Sequence, residues 1–176
     1  MPLISASGRF FFTSSRIVLA SGGSAAGAYG FALNCAIAEA LSYDWPTKEG
    51  DPMVVLRQGT NNWTCIADWP VSPGNDPVCN DPVWTTWNDA YAAGKAPEIT
   101  SPGIAYMLVE GSDPSNTDPM AAAPAPGEEW VKSGAHLMLL VPGGFDAKVF
   151  STDPKSGGPY IMWDGTPYEH VMVPVT

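Results

Sequence analysis

Short apolar runs alternate along the chain with stretches rich in Pro, Gly and Asp, a pattern typical of short β-strands joined by tight turns. Six apolar runs have the length of single strands: residues 53–57, 63–68, 103–110, 135–141, 160–163 and 168–175. Six such strands with little helical periodicity predict a mainly β fold, an antiparallel β-sandwich or barrel. We expect one short α-helix within this fold and a hydrophobic helix before it.

One segment after residue 80 has the periodicity of an α-helix. Asp81 is suited to the N-cap and Pro82 to the first helical position, and Gly94 can end the helix. An aromatic stripe falls at positions i, i+3 and i+7 of one helical face: Trp84, Trp87 and Tyr91. A stripe of this kind can serve as a stacking platform, but we expect it to be the face that the helix buries.

Several connections between these elements are long. We interpret residues 42–52 as a linker and residues 70–82 as a loop rich in Pro, Asp and Asn. Residues 111–129 form a polar, Pro-rich connection, which is long for a compact domain. We expect this last segment to be a functional loop or an arm that faces a partner.

The first part of the chain differs from the rest in charge. Residues 1–16 form a basic tail, and residues 17–38 contain no charged side chain over 22 positions. A helix that crosses a membrane needs about 20 predominantly apolar residues. We therefore divide the chain into the tail (1–16), a hydrophobic helix (17–41) and an extracytoplasmic β-rich domain (42–176).

The hydrophobic segment has the features of a retained signal-anchor. Gly23 and Gly27 are four residues apart, and Ala26 and Gly30 repeat this spacing, which lets helices pack closely in lipid. The basic tail would stay on the inner side of the membrane and leave the acidic domain outside. The alternatives are a signal peptide cleaved after residues 36–38, an organelle transit peptide, and a helix buried in the fold or in a partner. We expect these residues to be retained.

The amino-acid composition and the missing sequence motifs argue against several functional classes. The net charge is −10 with a pI of about 4.3, and all 18 acidic residues follow residue 38, where only six basic residues accompany them. This balance argues against nucleic-acid binding, because phosphate contacts need clustered Lys and Arg. The chain also contains no P-loop, no G-x-G-x-x-G and no G-x-S-x-G motif, so nothing in it identifies an enzyme.

Two of the three cysteines flank the Pro-rich loop. Cys65 and Cys79 are 14 residues apart, and in an exported domain we expect them to form a disulfide. The bond would join strand 63–68 to the N-terminus of the helix. Two free buried thiols are the alternative in a reducing compartment. The absence of a C-x-x-C pair argues against a zinc ribbon or a thioredoxin-type site.

Both histidines of the chain occur in the pattern His-x-Met. The four residues concerned are His136, Met138, His170 and Met172. Because residues i and i+2 of a strand share a face, each pair would present an imidazole and a thioether together. If the two strands are neighbours, the four ligands suit copper, especially Cu(I), and Met107 and Met162 on other predicted strands could join them. A Met-rich core with two hydrogen-bonded histidines is the alternative.

Six of the 11 Asp residues precede Pro, at positions 51, 76, 81, 113, 118 and 153. Asp side chains accept hydrogen bonds from nearby backbone amides and the following Pro fixes φ, so turn and cap roles are expected. Asp113, Asn116 and Asp118 lie close together in sequence and could form a calcium loop, although the spacing of an EF-hand is missing.

From Asp44 onward the chain resembles an uncharacterised family of exported bacterial proteins. The motifs that carry the resemblance include GTNNWTC (59–65), GIAYML (103–108) and GTPYEHVMVPV (165–175). The resemblance implies an extracytoplasmic location, periplasmic or secreted, and implies no activity, substrate or cofactor. Members of this family look like soluble proteins with a signal peptide, whereas here we expect the first residues to be retained.

Together these features predict a non-catalytic accessory or stabilising subunit. It would be tethered through its N-terminal helix and docked on the membrane proteins of a larger assembly. A periplasmic copper-binding protein that uses the His and Met residues is the first alternative. A secreted hydrolase of unknown substrate is the second.

Overall fold

The computed structural model describes residues 37–48 and 50–175. Within these residues the chain forms ten strands and one helix with defined bounds. They are β1 (Leu41–Asp44), β2 (Val54–Arg57), β3 (Thr64–Ile66), β4 (Val78–Asn80), α1 (Pro82–Ala92), β5 (Gly103–Met107), β6 (Ser112–Asp113), β7 (Val131–Lys132), β8 (His136–Leu140), β9 (Tyr160–Met162) and β10 (His170–Pro174). The prediction of a mainly β fold with a short helix is confirmed.

Eight of the strands form one sheet in the order β2-β1-β3-β4-β5-β8-β10-β9, and β6 pairs with β7 apart from it. Neighbouring strands are antiparallel except β1 and β3, which run parallel. The parallel pair arises because β2 reverses the chain beside β1 and residues 58–63 reverse it again, so β3 arrives on the other side of β1 in the same direction. The sheet is therefore mixed, because β1 and β3 are parallel while all the remaining neighbouring strands are antiparallel.

The helix α1 begins and ends where the sequence predicts. Asp81 caps its N-terminus, with Oδ1 accepting a hydrogen bond from the Trp84 amide at 2.8 Å. The second carboxylate oxygen, Oδ2, accepts from the Ile104 amide at 2.7 Å and so ties the helix to β5. Gly94 follows the helix at φ +64°, a backbone conformation that favours glycine.

The side of the sheet that α1 covers holds the main core, and we call it the helix face. Trp84 and Trp87 are buried there against Ala105, Met138 and Met172 of the central strands. The Trp84 indole also donates to the Met138 carbonyl at 3.2 Å. The aromatic stripe of α1 is thus the face that the helix buries.

The opposite side of the sheet holds the disulfide. Cys65 of β3 lies directly opposite Cys79 of β4, and the two form the predicted bond. Ala40 packs beside them, and the Trp63 and Tyr106 rings stack next to them at 4.8 Å. Because Asp81 follows Cys79 by two residues, the disulfide fixes β3 to the chain that starts the helix.

Two strands of the sheet were not expected. Residues 41–44, placed by sequence at the end of the hydrophobic helix and the start of a linker, form β1, and the Pro-rich loop 70–82 contains β4. No helix in the described part of the chain is long and apolar enough to cross a membrane. The predicted anchor with Gly23, Gly27 and Gly30 lies, apart from its last residues, outside the described residues.

The long connection 111–129 is held against the core of the protein. Residues 112–113 form β6, which pairs with β7. The Tyr91 hydroxyl of α1 donates to the Pro119 carbonyl, and the Trp163 indole donates to the Ser115 carbonyl at 2.8 Å. This connection therefore helps α1 to cover the helix face.

Candidate functional site

The predicted metal ligands lie on adjacent strands of the helix face. β8 and β10 are antiparallel neighbours, with Met138 directly opposite Met172 and His136 opposite Pro174. Residues that face each other across a strand pair point to the same side of the sheet, as do residues i and i+2 of one strand. His136, Met138, His170 and Met172 therefore share one face, as the sequence predicts.

The two thioethers are brought together, but the two imidazoles are not. In the register of β8 and β10 the pair Val171–Leu139 is followed by His170 beside Leu140. His170 is thus four positions from His136 along the strands, roughly 13 Å at about 3.3 Å per residue. The cause is the antiparallel direction, since two copies of His-x-Met that align their methionines must place their histidines at opposite ends.

His170 lies among aromatic rings. The Trp84, Trp87 and Trp163 rings contact it edge-on, with centroids at 5.2, 5.8 and 5.1 Å. Its Nδ1 bonds the Tyr168 carbonyl at 3.0 Å. Burial, assisted by the charge of His136, lowers the pKa of His170 to about 4. The ring is therefore neutral at pH 7, with the Nδ1 proton donated to the backbone.

His136 at the other end is fully buried and incompletely hydrogen-bonded. Its Nδ1 lies 2.7 Å from the Gly134 carbonyl, while Nε2 has no hydrogen-bond partner among the described residues. Burial lowers the pKa of His136, so its ring is neutral as well. With Nδ1 donating its proton, Nε2 carries a free lone pair, which is the form of imidazole that binds metals.

The register places three thioethers on the positions next to His136. Met107 of β5 is directly opposite it, Met138 follows it by two residues, and Met172 faces Met138 from β10. Gly111 approaches the ring from another direction, because a Cβ at this position would lie 2.7 Å from Cε1 of His136. One imidazole nitrogen and three soft thioether sulfurs on neighbouring positions are a donor set that suits Cu(I).

A buried carboxyl group, Asp76, and a partly buried one, Asp113, form a second feature that the sequence did not indicate. Asp76 is 8 % exposed, its Oδ1 accepts from the Ser72 hydroxyl at 2.7 Å, and its amide donates to Asp68 at 2.9 Å. Burial is the main cause that raises the pKa of Asp76 to about 6, and Asp68 adds to it. Burial also raises the pKa of Asp113 to about 7, with a contribution from the charge of Asp76.

These two aspartates are therefore able to hold protons near neutral pH. The described residues contain no group of three or more His, Cys, Asp or Glu side chains that could hold a metal ion. Both histidine rings bond backbone carbonyls, Gly134 and Tyr168. The pairing of Asp76 with Asp113 could not be predicted, because an Asp-Pro dipeptide has the same sequence pattern in a surface turn and in the core.

Two of the residues considered for calcium, Asn116 and Asp118, form hydrogen bonds with the backbone. The Asn116 amide donates to the Thr152 carbonyl at 2.9 Å, and Asp118 Oδ1 accepts from the Met120 amide at 2.9 Å. The Asn116 carbonyl oxygen Oδ1 is buried without a hydrogen-bond partner in the described part of the chain. The side chain of Asp118 therefore has the turn role that is expected of an Asp before Pro.

Comparison of the chain with protein-family models, with curated proteins and with solved structures found no match. The resemblance carried by residues 59–65 and 165–175 therefore stays a prediction.

Proposed function

We propose that this protein is a non-catalytic, extracytoplasmic accessory subunit of a larger membrane assembly. The uncharged segment 17–38 is long enough to serve as its membrane tether. The observation that carries the proposal is the composition and exposure of β2, the strand at one edge of the large sheet. The membrane proteins of the assembly are its partners.

Strand β2 presents apolar side chains to solvent. Val54, Val55 and Leu56 are 48 %, 46 % and 48 % exposed, although they are consecutive and so point to both sides of the strand. Folded proteins commonly protect an edge strand with Lys, Pro or a covering segment, because bare edges pair with other chains. An apolar exposed edge is consistent with a surface that a partner covers.

The opposite edge of the sheet is protected by the protein itself. All three residues of β9 are buried. The Ile161 amide donates to the Ser151 carbonyl at 2.7 Å, and the Trp163 amide, just past the strand, donates to the Asn116 carbonyl at 2.9 Å. The contrast between a covered edge and an apolar exposed edge supports a role in assembly for β2.

Two further observations support the location and the non-catalytic role. The Cys65–Cys79 disulfide is compatible with an oxidising compartment outside the cytoplasm. The two histidines, the commonest acid–base residues of enzymes, are both held by backbone carbonyls within the core. Neither histidine is bonded to a carboxylate or to a serine hydroxyl in these contacts.

The test is the behaviour of the full chain extracted from its native membranes in mild detergent. We expect the chain to co-migrate with other membrane proteins on a native gel and to stay with them during size-exclusion chromatography. A monodisperse chain that runs alone and needs no detergent would contradict the proposal. Extraction at high salt as a second condition separates tethered from loosely adsorbed protein, because salt screens surface charge contacts.

Copper binding is the second candidate, and the free Nε2 of His136 favours it. The ligands proposed from the sequence are His136, Met138, His170 and Met172, with Met107 and Met162 as additions. The register places Met107 directly opposite His136. Anaerobic Cu(I) titration against a competing chelator is expected to give one bound ion, which His136→Leu and Met138→Leu abolish.

A matched control keeps the copper test specific. Met120→Leu changes a methionine that is 54 % exposed and lies outside the large sheet, so Cu(I) affinity should be unchanged. His170→Leu shows whether the distant imidazole takes part in binding. No bound Cu(I) in the wild-type chain, or the same affinity in His136→Leu, would end the copper hypothesis.

A further inference from the structure

The bare edge of β2 has the geometry to accept one more strand. β2 pairs with β1 on one side, and no described strand pairs with its other side. The backbone N–H and C=O groups of an edge strand alternate in direction, so half of them are directed away from the sheet. An extended segment laid beside β2 would bond these groups and cover its side chains.

The apolar character of β2 determines what such a segment must look like. Val54 and Val55 point to opposite sides of the sheet, Leu56 lies at the register shift of β2 against β1, and all three are about half exposed. A partner that alternates apolar and polar residues would cover only one of these sides. A segment with consecutive apolar residues covers both sides, as strands buried on both faces do.

Charge indicates that the partner is a different protein. Each copy of the chain carries a net charge of −10, so edge-to-edge pairing of two copies would bring like charges together. At the start of β2, the exposed Asp51 lies three residues before Val54, where an added strand would meet its negative charge.

The cation at the other end of β2 is already engaged. The Arg57 guanidinium donates to the Ile37 and Ala40 carbonyls, the latter at 3.1 Å, and to the Ser42 hydroxyl at 3.0 Å. Arg57 is therefore turned toward the protein's own backbone and is not available to an acidic partner.

We propose that β2 takes up an extended, continuously apolar segment of a partner subunit, with Lys or Arg at the end that lies beside Val54. The inference rests on the proposed accessory function, because it names the contact through which the chain would join its assembly. The segment extends the eight-stranded sheet by one strand, and its basic end lies next to Asp51.

The test is site-specific photo-crosslinking of the full-length chain in its native membranes. A photoreactive phenylalanine analogue replaces Val55, and the cross-linked peptide is identified by mass spectrometry. We expect a peptide from another protein, with at least three consecutive apolar residues and a flanking Lys or Arg. The same analogue at Val149, which is 73 % exposed outside the strands, is the matched control and should not give this peptide.

Other cross-links would overturn the proposal. A peptide from a second copy of the chain would mean that β2 makes a homodimer, and a peptide from residues 1–36 would mean that the chain covers its own edge. A partner peptide that is acidic, or one that alternates apolar and polar residues, would contradict the proposed apolar segment with a basic end. No cross-link from an intact complex would show that the partner binds elsewhere, and the accessory function would then still stand.

A pair of charged variants gives an independent measurement. Val54→Lys with Leu56→Lys is expected to lower the fraction of chain in the complex at least about tenfold, because lysines on an edge strand oppose strand addition. Val71→Lys with Val149→Lys alters two residues that are 65 % and 73 % exposed away from β2 and should leave the fraction unchanged. If the fraction of chain in the complex falls equally in both double variants, or falls in neither, docking at β2 is contradicted. Absence of any complex with the wild-type chain would instead refute the accessory function itself.

Discussion

Aspartates that precede proline take two different roles in this protein. Asp81 caps α1, and Asp118 and Asp153 accept hydrogen bonds from amides two residues further along the chain. Asp76 is instead buried and Asp113 is partly buried, and burial raises the pKa of both. The cap and turn roles could be predicted because they depend on neighbours in sequence. Burial could not, because it depends on which distant segments fold over the carboxyl group.

The raised pKa of Asp113 predicts a pH-dependent stability. Its pKa is about 7 in the folded chain against an ordinary 3.8, so between about pH 4 and 7 the folded state binds more protons than the unfolded state. The free energy of unfolding contributed by this group is therefore present at low pH and is lost as pH rises through that window. We expect Asp113→Asn to stabilise the chain at pH 8 by roughly 2–4 kcal/mol and to have little effect at pH 4.

Chemical denaturation of both chains at several pH values measures this difference. Comparing the variant with the wild type is essential, because His170, whose pKa is lowered to about 4, changes stability in the opposite direction over an overlapping range. The control is Asp118→Asn, since Asp118 is exposed. A stabilisation by Asp113→Asn that is equal at pH 4 and pH 8 would contradict the assigned pKa.

Gly111 is expected to be needed for the position of the His136 ring. A Cβ on residue 111 would lie 2.7 Å from Cε1 of a fully buried imidazole, so one of the two must move. We expect Gly111→Ala to lower the free energy of unfolding by about 1–3 kcal/mol, the usual cost of overpacking a core. Gly158→Ala is the matched control, because no atom lies within 4 Å of its added Cβ.

A double-mutant cycle checks the cause of this loss. If the clash with His136 is responsible, Gly111→Ala should cost less free energy in a His136→Ala background, where the ring is absent. An equal cost in both backgrounds would assign the loss to the backbone of residue 111 instead.

At the scale of elements, the sequence was sufficient where a run of side chains carried the signal. The strands β5, β8 and β10 are apolar over five residues and were predicted close to their observed bounds, as was α1 with its cap and stripe. β4 has three residues, and its strand character comes from its neighbours, through Cys79 opposite Cys65 and Asn80 opposite Ala105. Pairing of this kind leaves no periodic pattern in the sequence.

The same limit applies to the candidate metal site. The shared face of the His-x-Met pairs follows from strand geometry and could be predicted. The separation of His136 from His170 could not, because it depends on the register that sets Met138 opposite Met172. The place of Met107 beside His136 depends on the order of the sheet, which brings β5 next to β8.

The disulfide is expected to stabilise the β3–β4 pair. Its loop spans 14 residues, for which the chain-entropy model gives about 3 kcal/mol. We expect the reduced chain to unfold at a correspondingly lower denaturant concentration, with near-native spectra before unfolding because the backbone pairing of β3 and β4 remains. The measurement compares oxidised and reduced protein in a Cys35→Ala background, which prevents exchange with the third cysteine. Equal midpoints would show that the bond adds no stability.

At the scale of the whole molecule, the two faces of the large sheet differ from each other, and so do its two edges. The helix face holds the aromatic and methionine core, the other face holds the disulfide, and one edge is covered while the other is exposed. Acidic residues follow residue 38 throughout, and the resulting negative charge opposes self-association. The arrangement leaves β2 as the part of the sheet most suited to a second protein.

The position of β10 has a consequence for how the protein is made. β10 is the last strand along the described chain, yet it lies inside the sheet between β8 and β9. Until residue 174 has been synthesised, the central strand β8 lacks one neighbour, and β9 lacks β10, its strand partner among the described residues. A nascent chain therefore cannot complete this sheet before β10 has been made, although β10 lies inside the sheet and not at its edge.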